Sequence, residues 1–250
     1  MTTIAIRRQG RPIDEFKQML RHLSRGWAAG RRPFMATLAT ACVAAAAIAE
    51  RDSAIRPVID RLGVEQAGLP MASAILRLPA SLVMSSPSLP FWGAILQVFA
   101  LVAAGELLFG WRKTLVVGLL AHAAATLSAR AMIAIGTGPL SLPVRYLTVR
   151  DTGPSAAVVG IAVYAMIRLR TPWTLAFAVG VLVLELFALP NLAGREHITA
   201  IIVGAVLAIV DEAVRARTAR YRVEEPVGLQ LPDEIRDPCA PAATHESSPG

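Results

Sequence analysis

Six apolar stretches recur between residues 34 and 210, each closed off by turns bearing charge, glycine or proline. That repetition constrains the fold more than any single residue does. A helix needs about 20 mostly apolar residues to cross a hydrocarbon layer ~30 Å thick. Within that layer the backbone amides find no water, so each stretch must satisfy them inside its own helix. The stretches fall at about residues 34–49, 89–110, 114–135, 154–167, 173–189 and 197–210. The shorter ones suffice where flanking side chains snorkel to the interface.

Composition agrees with this pattern. The chain is 54% hydrophobic and 17% charged, with a mean hydropathy of +0.52. Soluble domains carry about 25% charged residues. A disordered chain, a coiled coil and an ordinary cytosolic enzyme are excluded. The net charge of +7 and the pI of ≈ 10.4 then need a location. Six spans put both termini on one side. That side holds seventeen Arg and Lys, in the two tails, at Arg112 and Lys113, and at Arg168 and Arg170. The other side holds seven: Arg51, Arg56, Arg61, Arg77, Arg145, Arg150 and Arg195. The excess places both termini in the cytoplasm of a multi-pass plasma-membrane protein. Lysines occur only at Lys17 and Lys113, so the basic character reflects arginine-rich coding from a GC-rich genome, and no nucleic-acid partner is expected.

Three regions follow. Residues 1–33 form a basic cytoplasmic tail in which Ile13, Phe16, Leu20, Leu23 and Trp27 recur at helical spacing. Two readings fit: an amphipathic helix lying on anionic headgroups, or a basic tail without fixed order. Residues 34–215 form the membrane domain. Residues 216–250, rich in Pro, Glu and Ser, are expected to be disordered. Within the domain, residues 51–88 combine charge, apolar patches and Pro70, Pro79 and Pro87, which reads as a loop partly embedded in the bilayer.

Metal and cofactor chemistry find no support. Cys42 lies in an apolar run and Cys239 in the polar tail; His22, His122, His197 and His245 are not spaced as ligand pairs. No glycine-rich phosphate loop follows a strand pattern.

Two polar residues do share one depth. Ser155 opens the fourth span and His197 opens the sixth, both entering from the outer side. Pro154 suits a helix start because its missing N–H would go unpaired anyway. Ala156 and Gly160 are four apart, as are Ala200, Gly204 and Ala208; such faces let membrane helices approach closely. If the faces meet, the imidazole can take the proton of the attacking hydroxyl, the minimum for acyl transfer. Asp151 is read as a cap on the fourth span rather than as a third member that orients the histidine. Tyr164 is read as packing, and His122 as a buried hydrogen-bonded residue. Glu106, Arg130 and Glu185 lie near helix ends and are read as snorkelling. That argues against a transporter or channel, which would line a path with intramembrane charge.

These residues carry a resemblance. Gly153-Pro154-Ser155-Ala156-Ala157-Val158-Val159-Gly160 is similar to the Gly-x-Ser-x-x-x-x-Gly signature of rhomboid intramembrane serine proteases. His197-Ile198-Thr199-Ala200-Ile201-Ile202-Val203-Gly204 resembles that family's sixth-helix motif, and Glu106-Leu107-Leu108-Phe109-Gly110-Trp111-Arg112 resembles the end of its second helix. The order and depth of the motifs match over roughly residues 34–215, and the match looks nearest to the rhomboid-like membrane proteins of actinobacteria.

The resemblance implies an all-α membrane protein, a six-transmembrane-helix rhomboid-like bundle with a membrane-embedded first loop. It implies Ser155 as nucleophile, His197 as general base, no metal or cofactor, transmembrane proteins as substrates, and a mobile fifth helix. The match departs at the oxyanion site: the family's His and Asn of the second helix align with Pro90 and Ala94, with Gln97 one turn deeper. The Trp-Arg pair of the first loop is missing, Arg77 being nearest, and glycines of both active-site motifs are replaced by Ala156 and Ala200. The alternative expectation is therefore a catalytically inactive rhomboid-like protein that binds membrane helices in a chaperone or quality-control role.

Overall fold

The computed structural model describes residues 11–84, 90–138, 141–151, 153–188 and 191–224. The elements are α1 (Pro12–Ala28), α2 (Phe34–Ala49), α3 (Arg56–Gly63), α4 (Met71–Ser81), α5 (Phe91–Phe109), α6 (Trp111–Ile135), a 3-10 turn (Val144–Thr148), α7 (Ser155–Leu169), α8 (Pro172–Ala188) and α9 (Leu192–Glu224). No strand occurs among the described residues; an isolated antiparallel bridge joins Glu65 to Asp151. The chain divides into two units, residues 1–210 and 211–250. In the second, Arg215 and Asp211 pair at 3.2 Å along their helix.

The all-helical class expected from the apolar repeat is what forms. Stretches within α5, α6 and α9 are long and apolar enough to cross a membrane, while α2, α7 and α8 are apolar but shorter. The outward side chains fit an apolar solvent. Phe177, Leu184 and Phe187 on α8, Leu96 on α5 and Ile202 on α9 are all more than half exposed. In water each would forgo about 1.5–3 kcal/mol of burial.

Several boundaries differ from the sequence expectation. Trp111, Arg112 and Lys113 are not a turn but the first turn of α6. The whole reversal is made by Gly110, whose φ of +86° only glycine adopts without strain. The segment read as a partly embedded loop, residues 51–88, contains two helices, α3 and α4, among its described residues. The last helix begins at Leu192, where Asn191 Oδ1 accepts from the Gly194 N–H at 2.8 Å. His197 thus lies in the second turn, not the first. At its other end α9 continues to Glu224, so the boundary drawn at residue 215 falls inside a helix. The expectations for Leu89, Pro87, Pro139, Leu189, Cys239 and the tail from residue 225 lie outside the described residues.

α5 is the hub. It packs on α1, α2, α6 and α7. Its inward residues Ala94, Val98 and Val102 join Ala36 and Val43 of α2, Val158 and Tyr164 of α7, and Ala208 of α9 in the main core. Tyr164 packs edge-on against Phe109 at 5.0 Å, as expected of a packing residue. A second cluster unites Ala121 and Ala125 of α6 with Ala156, Val159 and Val163 of α7 and Ala200 of α9. Between α2, α4, α5, α6 and α7 lies a cavity of about 340 Å³ with almost wholly apolar walls; Pro154, Ala157 and Val158 are among the residues lining it.

Candidate functional site

The small-residue faces of α7 and α9 do meet. A Cβ on Gly204 would stand 2.6 Å from the Gly160 carbonyl oxygen, and one on Gly160 would stand 2.3 Å from Ala121 Cβ. Neither glycine tolerates a side chain without a shift. Ala156 shares a cluster with Ala200, and Tyr164 with Ala208. The two helices therefore run parallel and in register, with both N-termini at one end of the bundle.

Ser155 is the first residue of α7 and is half-buried. Pro154 precedes it as N-cap, with no side-chain cap. The first N–H groups of a helix have no intrahelical partner and carry its positive dipole end, and the hydroxyl sits at that end of α7. The Gly153 N–H is tied to the Ser81 carbonyl at 3.1 Å, which fixes the approach to the helix.

His197 is 8% exposed. Its Nδ1 lies 3.2 Å from Glu185 Oε2 on α8, and its Nε2 is buried with no hydrogen-bond partner. An imidazole that donates from Nδ1 to a carboxylate presents a lone pair at Nε2. Ser155 and His197 are brought to the same end but are not hydrogen-bonded to each other. Glu185 was read in the sequence as a snorkelling charge; it instead points inward to the histidine. Glu and His twelve residues apart on separate helices leave no spacing signal.

Asp151 does not cap α7. Its carboxyl bonds to Glu196 of α9 and to Thr126 of α6, and its backbone N–H donates to the Glu65 carbonyl at 2.8 Å. Burial pushes it up to about 6; the Glu65 charge adds to the rise, while the bonds from Glu196 and Thr126 and the charge of Arg130 oppose it. Two carboxyls that hydrogen-bond to each other must hold a proton between them. Arg130 does not snorkel either: it pairs with buried Glu65 and donates to the Leu69 and Gln66 carbonyls at 2.7 Å each. Arg150 joins Glu50 and Asp60 nearby.

A serine–histidine contact elsewhere was not foreseen. Ser81 Oγ lies 2.7 Å from His122 Nε2 and 3.0 Å from the Leu78 carbonyl oxygen, and both residues are buried. A hydroxyl has one proton. The imidazole and the hydroxyl both reach the Leu78 carbonyl, so which of the two donates to the other is set by the histidine tautomer. This pair anchors α4 to α6, in line with the structural reading of His122. No group of His, Cys, Asp and Glu among the described residues is arranged to hold a metal ion.

Compared with known proteins, the chain matches no family model and no curated protein.

Proposed function

We propose that the chain is a rhomboid-like intramembrane serine protease that cleaves transmembrane segments of other proteins. In this reading α2, α5, α6, α7, α8 and α9 are six spans in the plasma membrane, both termini are cytoplasmic, and α3 and α4 form the outer first loop. One observation carries it: α7 and α9 pack in register, so that Ser155 opens one helix at the end where the other buries a partnerless His197 Nε2.

The chemistry follows from those atoms. Ser155 Oγ gives its proton to His197 Nε2 as it attacks the scissile carbonyl. Glu185 stabilises the imidazolium through Nδ1. The backbone N–H groups in the first turn of α7 face the developing oxyanion, taking the place of the side-chain donors that Pro90 and Ala94 cannot supply. The imidazolium returns the proton to the leaving amine, and water then hydrolyses the acyl-enzyme. The apolar cavity beside Pro154 suits a substrate that is itself a membrane helix.

A second reading, a catalytically inactive relative that binds membrane helices, is favoured by the missing Ser155–His197 hydrogen bond. A fluorophosphonate probe separates the two in purified membranes. The protease labels at Ser155, and both Ser155→Ala and His197→Ala lose the label. A folded wild type that neither labels nor cleaves any transmembrane substrate establishes the second reading.

A further inference from the structure

α1 is held to the bundle by its polar side, not by its apolar one. The buried Glu15 carboxylate receives the Trp173 N–H at 3.1 Å, the Thr174 N–H at 2.9 Å and the Thr174 hydroxyl at 2.8 Å, closing the N-terminus of α8. Burial alone would raise its pKa; these three bonds outweigh burial and hold the carboxyl below its ordinary range. Gln18 Nε2 donates to the Leu169 carbonyl at 2.7 Å, at the end of α7. Gly26 lies so close to α5 that a Cβ there would be 2.1 Å from the Leu107 carbonyl oxygen. α1 thus lies against the ends of α5, α7 and α8.

Its apolar stripe is left uncovered. Ile13 is 59% exposed, Phe16 55%, Leu20 47% and Trp27 53%. At about 100° per residue, that stripe lies roughly 140° around the helix from the line of Glu15, Gln18 and Gly26. A third line, Lys17, Arg21 and Arg25, is also exposed and lies roughly 110° from the protein-facing line on its other side. One helix therefore has three faces: bundle, apolar and cationic, the last two roughly 110° apart. A helix buried among proteins has no use for that division, and a helix free in water would not expose four large apolar side chains. A bilayer interface supplies both media side by side: acyl chains on one flank, anionic headgroups on the other.

We propose that α1 is an interfacial helix that docks on an anionic leaflet, its Ile13–Trp27 stripe in the acyl boundary and its Lys17–Arg25 row on the headgroups. The inference rests on the membrane reading given above and not on the catalytic one. Because Glu15 holds α8 at the same time, the lipid surface is coupled to the helix that carries Glu185.

Trp27 reports the docking directly. The full chain, with Trp92, Trp111 and Trp173 replaced by Phe, is reconstituted in phosphatidylcholine bilayers with and without phosphatidylglycerol. Lipids brominated just below the headgroup then quench its fluorescence. A companion chain keeping only Trp92 reports that the domain itself is in the bilayer. Trp27 is expected to be quenched severalfold more in the anionic bilayer. Lys17→Gln, Arg21→Gln and Arg25→Gln together should remove that difference, and Phe16→Ser with Leu20→Ser should remove the quenching in both bilayers. Quenching of Trp92 with none of Trp27, or Trp27 quenching indifferent to phosphatidylglycerol and to the cations, overturns the proposal. Shielding of Trp27 that depends on the protein-to-lipid ratio assigns the stripe to a second copy and overturns it equally. Failure of both tryptophans overturns the membrane reading itself.

Discussion

The two ends of the bundle use charge in different ways. At the end bearing α1, charged side chains serve the backbone. Glu106 is 2% exposed and receives the Met35 and Ala36 N–H groups at 3.0 and 2.6 Å, capping α2 from α5. Glu15 does the same for α8, and Arg31 donates to the Leu107 and Leu108 carbonyls at the close of α5. At the end bearing Ser155 and His197, charged side chains chiefly pair with one another: Glu65 with Arg130, which also reaches two carbonyls, Arg150 with Glu50 and Asp60, Asp151 with Glu196, Glu185 with His197. Backbone partners do not titrate in the accessible range, so the first end is locked. At the second end one pair, Asp151 with Glu196, shares a proton between two carboxyls, so that end can respond to pH.

The largest test of this contrast is Glu106→Ala. It strands two backbone N–H groups, one of them in the core, and should destabilise the protein by about 3 kcal/mol in a denaturant titration. A loss no greater than that of an exposed substitution would break the idea of a locked end.

Next comes Glu185→Gln, which keeps the shape and removes the charge that holds His197. If the active end works as proposed, probe labelling at Ser155 slows by about 10²-fold with folding unchanged. An unchanged rate would show that the imidazole needs no carboxylate.

A smaller effect is expected from pH. Asp151 has a folded pKa of about 6, above its ordinary 3.8. An acid whose pKa rises on folding contributes stability fully below the unfolded value and loses it as pH rises through the folded one. Asp151→Asn should therefore stabilise the protein at pH 7.5, by at most about 3 kcal/mol, with the gain vanishing near pH 4. Thermal unfolding across that range reads it directly. A gain that persists at pH 4 would assign the effect to packing.

The smallest change belongs to Arg31→Ala. It removes two exposed hydrogen bonds and should cost under about 1 kcal/mol, because water replaces them. A larger cost would mean that α1 is held mainly through this arginine and not through Glu15.

Much of the helix framework was legible because apolarity is a property of a segment. The run at 34–49 became α2 without adjustment, and the small residues of α7 and α9 announced a contact that forms. The errors cluster at polar residues near helix ends. Asp151, four residues before Ser155, looked like a cap, yet it bonds across to α6 and α9. The start of α9 was hidden because Gly194, Arg195 and Glu196 read as loop; Asn191 as a cap was the available signal. Glu106, Arg130 and Glu185 looked free to snorkel because a sequence shows the depth of a charge and not the direction it faces.

The sequence by itself determined that this chain is helical and suited to a membrane, and which helix faces are small enough to touch, since hydropathy and side-chain size are carried residue by residue. Only the tertiary structure decided which partner each buried charge takes. That choice depends on angles between helices far apart in the chain. In a medium that cannot solvate an ion, it also decides whether a polar residue caps a helix, holds a proton, or leaves a histidine nitrogen bare.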